Sequence, residues 1–107
     1  MKQGTGWWVY MLRCADGSLY TGVTTDVLRR WKEHNGSPRG ARYTRVRRPV
    51  ALVLCVAVPD RARAGRLEAR LKGLTRARKE RLIRAVTVAN GAGSCLTADT
   101  SEQEIFA

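Results

Sequence analysis

The chain holds one histidine, His34, and nine carboxylates against 20 lysines and arginines. A lone His with no activated Ser or Cys context beside it argues against a catalytic triad. So few acids count against two-metal chemistry, which needs several acidic ligands. The three cysteines, Cys14, Cys55 and Cys95, are far apart and fit neither C-x-x-C nor a zinc spacing. Cys14 and Cys55 sit in apolar runs, so buried reduced thiols are the expectation, which points to a cytoplasmic setting. The glycines match neither a P-loop nor a dinucleotide fingerprint. There is no internal repeat, no apolar signal segment, and no apolar run near membrane-spanning length, so no membrane partner is expected.

What the chain has is positive charge. Its formal net charge is +11 over 107 residues, with 44% hydrophobic residues. The size suits one globular domain with one modest core and no separate cofactor domain. The charge makes a polyanion the leading partner class, and the bias to Arg suits forked contacts to phosphate. DNA is the favoured polymer, with RNA offering the same backbone chemistry. A monomer or weak homodimer is expected.

Residues 7–14 (WWVYMLRC) have strand composition, Ala15-Asp16-Gly17-Ser18 has turn chemistry, and Leu19–Val23 forms a return strand. A two-residue turn would put Tyr10 and Tyr20 on opposite faces. A three-residue loop, Asp16-Gly17-Ser18, would pair Cys14 with Tyr20 and Tyr10 with Thr24, so that both tyrosines share a face. Thr24, Thr25 and Asp26 are candidate caps for a helix over about 27–35, with Val27, Leu28 and Trp31 as its apolar stripe. Arg30 and His34 lie one turn apart on one flank of that stripe, and Arg29 points to solvent. Residues 36–48 form a loop bearing Arg39, Arg42, Arg45, Arg47 and Arg48 without any acid. These residues, with Lys72, are the candidate nucleic-acid contacts. Val50–Val58 reads as a buried strand. Helices follow over about 61–72, capped by Asp60 with Ala64, Leu67 and Leu71 inward, and about 76–88, capped by Thr75 with Leu82, Ala85, Val86 and Ala89 inward. Residues 1–89 make the domain. Residues 90–107 read as a weakly structured acidic tail able to fold back on the basic surface.

The remaining chemistry suits phosphate. Attack on a phosphodiester needs an activated oxygen, a cation at the phosphoryl oxygens and help for the leaving group. Arg30 can supply a positive fork. One carboxylate such as Glu68 can hold a Mg²⁺ whose shell is mostly water and phosphate. A tyrosine hydroxyl beside a cation can have its pKa lowered and act as a base.

Trp8-Val9-Tyr10, ten residues before Tyr20-Thr21-Gly22, resembles the paired motif of the GIY-YIG endonuclease superfamily. Arg30 falls ten residues after Tyr20, and His34 four after that. The run LYTGVTTDVLRRWKEHN is similar to small stand-alone bacterial GIY-YIG proteins, and Glu68 in GRLEARLKGLTRARKERLI matches their metal-binding helix. Trp8 and Val9 stand where the pattern has Gly and Ile, and Val23 where a Lys is common. The resemblance, over roughly residues 7–86, implies a small α+β domain: a three-stranded, mostly antiparallel sheet flanked by three helices. It implies a site of Tyr10, Tyr20, Arg30, His34 and Glu68. Tyr10 is favoured as base and Tyr20 as its orienting partner. Arg30 stabilises the phosphorus centre, His34 bonds a tyrosine or the phosphate, and Glu68 binds one Mg²⁺ or Mn²⁺. Gly22 allows a close backbone approach. The expected function is metal-dependent endonucleolytic hydrolysis of nucleic acid with low sequence specificity. The alternative is a nucleic-acid-binding module on the same scaffold with little or no turnover.

Overall fold

A computed structural model describes residues 6–90 and 95–96. Strand β1 (Trp7–Arg13) runs antiparallel to β2 (Leu19–Thr24), and helix α1 (Val27–Gly36) follows. A one-turn helix α2 (Arg42–Arg45) interrupts the Arg-rich loop, where none was expected. Strand β3 (Ala51–Val58), helices α3 (Arg61–Lys72) and α4 (Arg76–Asn90) and a two-residue strand β4 (Cys95–Leu96) complete the order. The sheet order is β2-β1-β3-β4. The first three strands are antiparallel, as expected, and β4 adds in parallel to β3. The predicted acidic tail lies outside the described residues from residue 91 on, apart from β4.

Side chains of β1 alternate between two apolar layers, as the pleat requires. Val9 and Met11 join Leu54, Val56, Leu67, Leu71, Leu82 and Ile83 beneath α3 and α4. Tyr10 and Leu12 join Cys14, Val27 and Cys55 on the face towards α1. Both faces are covered, which is why the strand reads as an almost unbroken apolar run. In β3 the register shifts opposite the Met11–Leu12 step, where Val53 is the extra residue. The bulge puts Val53 and Leu54 in the layer beneath α3 and α4 and returns Leu52 to the α1 face.

Asp26 caps α1, accepting from the Arg29 N–H at 3.1 Å, and Asp60 caps α3 through the Arg63 N–H at 2.8 Å. Thr75 caps α4 through the Arg78 N–H at 3.2 Å. The inward stripe of α3 is Ala64, Leu67 and Leu71, as the sequence predicts. Burying each of the two leucines contributes about 1.5–3 kcal/mol. In α4, Ile83 is buried beside Leu82 and Val86, whereas Ala85 is exposed. Arg13 clamps α4 to the hairpin by donating to both Glu80 oxygens at 2.7 and 2.6 Å, and Arg76 donates to the Gly17 carbonyl at 2.6 Å.

Cys14 is a buried free thiol. Cys55 is disulfide-bonded, against the expectation of a reduced thiol. Strand β4, which nothing in the sequence signalled, sets Cys95 in register with it. Among the described residues no helix is long and apolar enough to cross a membrane.

Candidate active site

The hairpin loop has three residues, but it is Ala15-Asp16-Gly17, one position earlier than predicted. Cys14 N–H donates to the Ser18 carbonyl at 2.8 Å, and Gly17 takes φ +85°, the left-handed conformation that closes such loops. The Asp16 carboxylate accepts from the Ser18 N–H at 3.0 Å and so fixes the turn. Tyr10 therefore faces Gly22, not Thr24, and Tyr20 faces Leu12, not Cys14. The slip is two residues in register, an even number, so the two tyrosines still share a face. Their rings lie 6.4 Å apart.

Gly22 has a specific task. A Cβ there would stand 2.5 Å from the Tyr10 hydroxyl oxygen and 2.7 Å from its Cζ, so the ring can lie across β2 only because the residue is glycine.

On α1 the inward stripe is Val27, Trp31 and His34, positions that fall within about 60° of one another at 100° per residue. Leu28, expected inward, is 53% exposed, and His34 is fully buried. The burial is affordable because both ring nitrogens have partners. Nε2 lies 2.7 Å from the Tyr10 hydroxyl, and Nδ1 lies 2.8 Å from Thr44 Oγ1. Thr44, also fully buried, gives its own hydroxyl proton to the Ala41 carbonyl at 2.9 Å. Its oxygen is then left to accept from Nδ1–H, so Nε2 carries the lone pair and accepts from Tyr10. This assignment satisfies three short bonds and leaves out only the 3.4 Å approach of the Ala41 N–H to Nδ1. The Tyr20 ring meets the imidazole edge-on at 5.2 Å.

Burial, followed by the nearby Arg30 charge, pulls the His34 pKa down to about 4, so the ring is neutral at physiological pH. Burial, followed by Tyr20, pushes the Tyr10 phenol well above its ordinary value, although Arg30 beside its hydroxyl pulls the other way. A tyrosinate is therefore disfavoured in the unliganded site. Arg30 is oriented by Glu33 at 3.0 Å and by the Arg39 carbonyl at 2.7 Å. Burial alone would lower its pKa, but Glu33 and the Tyr10 hydroxyl outweigh it and the pKa is raised overall.

Glu68 comes from the other side of the sheet. Helix α3 packs over β1 and the edge strand β2, which brings the carboxylate near enough to act on the Tyr10 hydroxyl. Its side chain is 25% exposed, and Oε2 lies 3.3 Å from Lys72 Nζ, one turn on. Among the described residues no three His, Cys, Asp or Glu side chains come together. One carboxylate nevertheless fits Mg²⁺, which keeps several waters and takes substrate phosphate oxygens as further ligands.

The Arg-rich segment divides. Arg39, Arg42 and Arg45 are exposed. Arg48 turns inward and donates to the carbonyls of His34 at 2.6 Å, Glu33 at 3.2 Å and Ser37 at 2.5 Å, closing the C-terminal end of α1. Arg47 pairs with Asp16 at 3.0 Å and sits over the Tyr43 ring. Asn35 holds both polar groups of the Val50 backbone, at 2.9 and 2.7 Å. Thr44, Tyr43 and Asn35 were not singled out from sequence. The one available signal was that Thr44 and Tyr43 lie in the acid-free loop already suspected of function.

The fold is a small α+β domain of a nuclease-type family. The chain belongs to the GIY-YIG family: the family model described as the GIY-YIG catalytic domain matches residues 6–81. GIY-YIG nucleases generally use a divalent metal, and the family suggests nucleic-acid binding. The chain is 52% identical over 79 residues to the UPF0213 protein DP2720 of Desulfotalea psychrophila, covering 74% of this chain and 72% of that protein. It is 44% identical over 79 residues to the UPF0213 protein YhbQ of Salmonella typhimurium, covering 74% and 78%. The solution NMR structure of the protein EF2693 from E. faecalis is similar, with TM-score 0.56 and 37% identity over 82% of this chain and 93% of that one.

Proposed function

We propose that this protein is a metal-dependent endonuclease that hydrolyses nucleic-acid phosphodiesters, DNA in the first instance, with little sequence preference. The observation that carries the reading is the buried 2.7 Å hydrogen bond between the Tyr10 hydroxyl and His34, with Arg30 beside it.

Water attacks the phosphorus and passes a proton to the Tyr10 oxygen while the Tyr10 proton moves to His34 Nε2. The transfer is concerted, so the disfavoured tyrosinate need not form. The substrate's negative charge offsets that of Arg30 and makes protonation of His34 easier than in the free protein. Arg30 meets the phosphoryl oxygens, where charge grows as the bond to the leaving oxygen breaks and that oxygen departs with the electron pair. Glu68 would hold one Mg²⁺ or Mn²⁺, which supplies Lewis-acid stabilisation. Tyr20 packs against Tyr10 and His34 and keeps bulk water from their bond. Arg39, Arg42 and Arg45 contact the backbone of the polymer away from the cut.

The test is incubation of the full chain with branched, single-stranded and duplex DNA, with Mg²⁺ or with chelator. Cleavage should require the ion and fall at least about 100-fold in both Arg30→Ala and Glu68→Ala. Cleavage that survives both substitutions, or wild-type binding without any cleavage, overturns the reading.

A further inference from the structure

An aromatic column leaves the site in one direction, and the proton path above does not use its outer end. The Tyr20 ring, 6.4 Å from Tyr10, stacks on Tyr43 at 6.0 Å with 24° between the planes. The Arg47 guanidinium carbon lies 3.8 Å from the centre of the Tyr43 ring. That guanidinium is held in place, donating through Nε to Asp16 at 3.0 Å and through a terminal nitrogen to the Tyr43 carbonyl at 2.9 Å. The backbone beneath it is fixed as well, since the Ala15 N–H donates to the Arg47 carbonyl at 2.9 Å. Tyr43 is 38% exposed, and Val46 beside it is 78% exposed. Arg42 and Arg45 stand exposed on either side of Tyr43 in the chain.

Single exposed apolar residues are ordinary. A rigid ring continuous with the site, roofed by an immobilised guanidinium and set among cations, is a different object. Aromatic faces and Arg planes stack bases, whichever base it is. A base inside a duplex has both faces occupied by its neighbours. Only an unstacked one can use such a surface.

We propose that the outward plane of the Arg47 guanidinium, backed by the Tyr43 ring, is a stacking platform for one unpaired nucleobase beside the scissile phosphate, so that the protein selects single-stranded or locally opened nucleic acid over intact duplex. This rests on the nuclease reading of the adjoining site and names its substrate class. The polymer's backbone is held by the exposed arginines, and the platform supplies the discrimination that backbone contacts lack.

The experiment measures binding in chelator, where no turnover intervenes, at one fixed salt concentration. The probes are a single-stranded oligonucleotide, its duplex, and the same single strand with an abasic site moved along it. Wild type should prefer the single strand, and at one position the abasic site should cost about 5- to 100-fold in affinity. Tyr43→Leu should lose the same factor on the single strand and change duplex binding less than about twofold. The two losses should not add, because they remove one contact. Tyr43→Phe should bind as wild type, and thermal unfolding of both variants confirms the fold. Equal losses on single strand and duplex, no loss, or additive losses overturn the platform while leaving the nuclease reading standing. Wild-type protein that binds neither polymer overturns both.

Discussion

Gly22 lies directly across the hairpin from Tyr10, and the Tyr10 ring occupies the space that any side chain at position 22 would need. Gly22→Ala should push the ring away and lengthen its 2.7 Å bond to His34. We expect a stability loss of about 1–3 kcal/mol, as for overpacking elsewhere, and a larger effect on cleavage, at least about 100-fold. Thermal unfolding and single-turnover cleavage measure the two effects separately. Full turnover in this variant would mean that the position of Tyr10 does not matter.

Thr44 decides which His34 nitrogen carries the proton. Thr44→Val keeps the shape but removes the acceptor that Nδ1–H has among the described residues, which costs about 1–3 kcal/mol and shifts the ring towards the other tautomer. Thr44→Ser keeps the hydroxyl and should retain the wild-type tautomer, seen in the ¹⁵N shifts of the ring. Cleavage should fall about 10- to 100-fold in the Val variant and stay near wild type in the Ser variant. A Val variant with an unchanged tautomer and rate would remove Thr44 from the relay.

Two groups give stability two separate acid limits. His34 is held neutral down to about pH 4, below its unfolded value near 6.5. The unfolded chain binds its proton first, so stability is complete above about pH 6.5 and falls as pH drops towards 4, by at most about 1.4 kcal/mol per pH unit. His34→Gln should flatten that window. Hydrogen bonds from Arg13 pull the Glu80 pKa down to about 2. Its contribution is present above about pH 4.5 and disappears as pH falls towards 2. Glu80→Gln should therefore cost about 1 kcal/mol at neutral pH and nothing near pH 2. Denaturant unfolding across the range would separate the windows. A Glu80→Gln penalty that is independent of pH would contradict the ion-pair account.

The exposed arginines and Arg48 should behave oppositely. Each of Arg42→Ala and Arg45→Ala should weaken nucleic-acid binding uniformly across sequences and reduce the slope of log affinity against log salt by about 0.9. Arg48→Ala should leave that slope alone and lower stability by about 1–3 kcal/mol, since three backbone carbonyls lose a charged donor. Titrations at several salt concentrations decide the matter, and a reduced slope for Arg48→Ala would refute its structural role.

Much of this was legible because local rules and tertiary context agree. The hairpin, the caps at Asp60 and Thr75 and the α3 stripe follow from turn chemistry and periodicity. The shared face of Tyr10 and Tyr20 followed from an odd loop length, even though the loop is Ala15-Asp16-Gly17 and the pairing slips by two. The inward turn of His34 did not follow, because a polar ring on a helix reads as a flank until its two partners are known. Thr44 is one of them, and it sits in a single helical turn too short to leave a periodic trace. Glu68 and Lys72 pair one helical turn apart, and spacing alone cannot say that α3 packs over β1 and β2. Strand β4 is two residues long and was equally invisible.

Helix α2 packs two duties into four residues, since consecutive side chains of a single turn point about 100° apart. Thr44 looks inward to the imidazole while Tyr43 and Arg45, its immediate neighbours, look outward. An insertion or deletion that reshaped the outer surface would rotate Thr44 off His34 in the same stroke. On the proposed reading, the outer surface can be varied without disturbing His34 only by exchanging side chains on a backbone of fixed length.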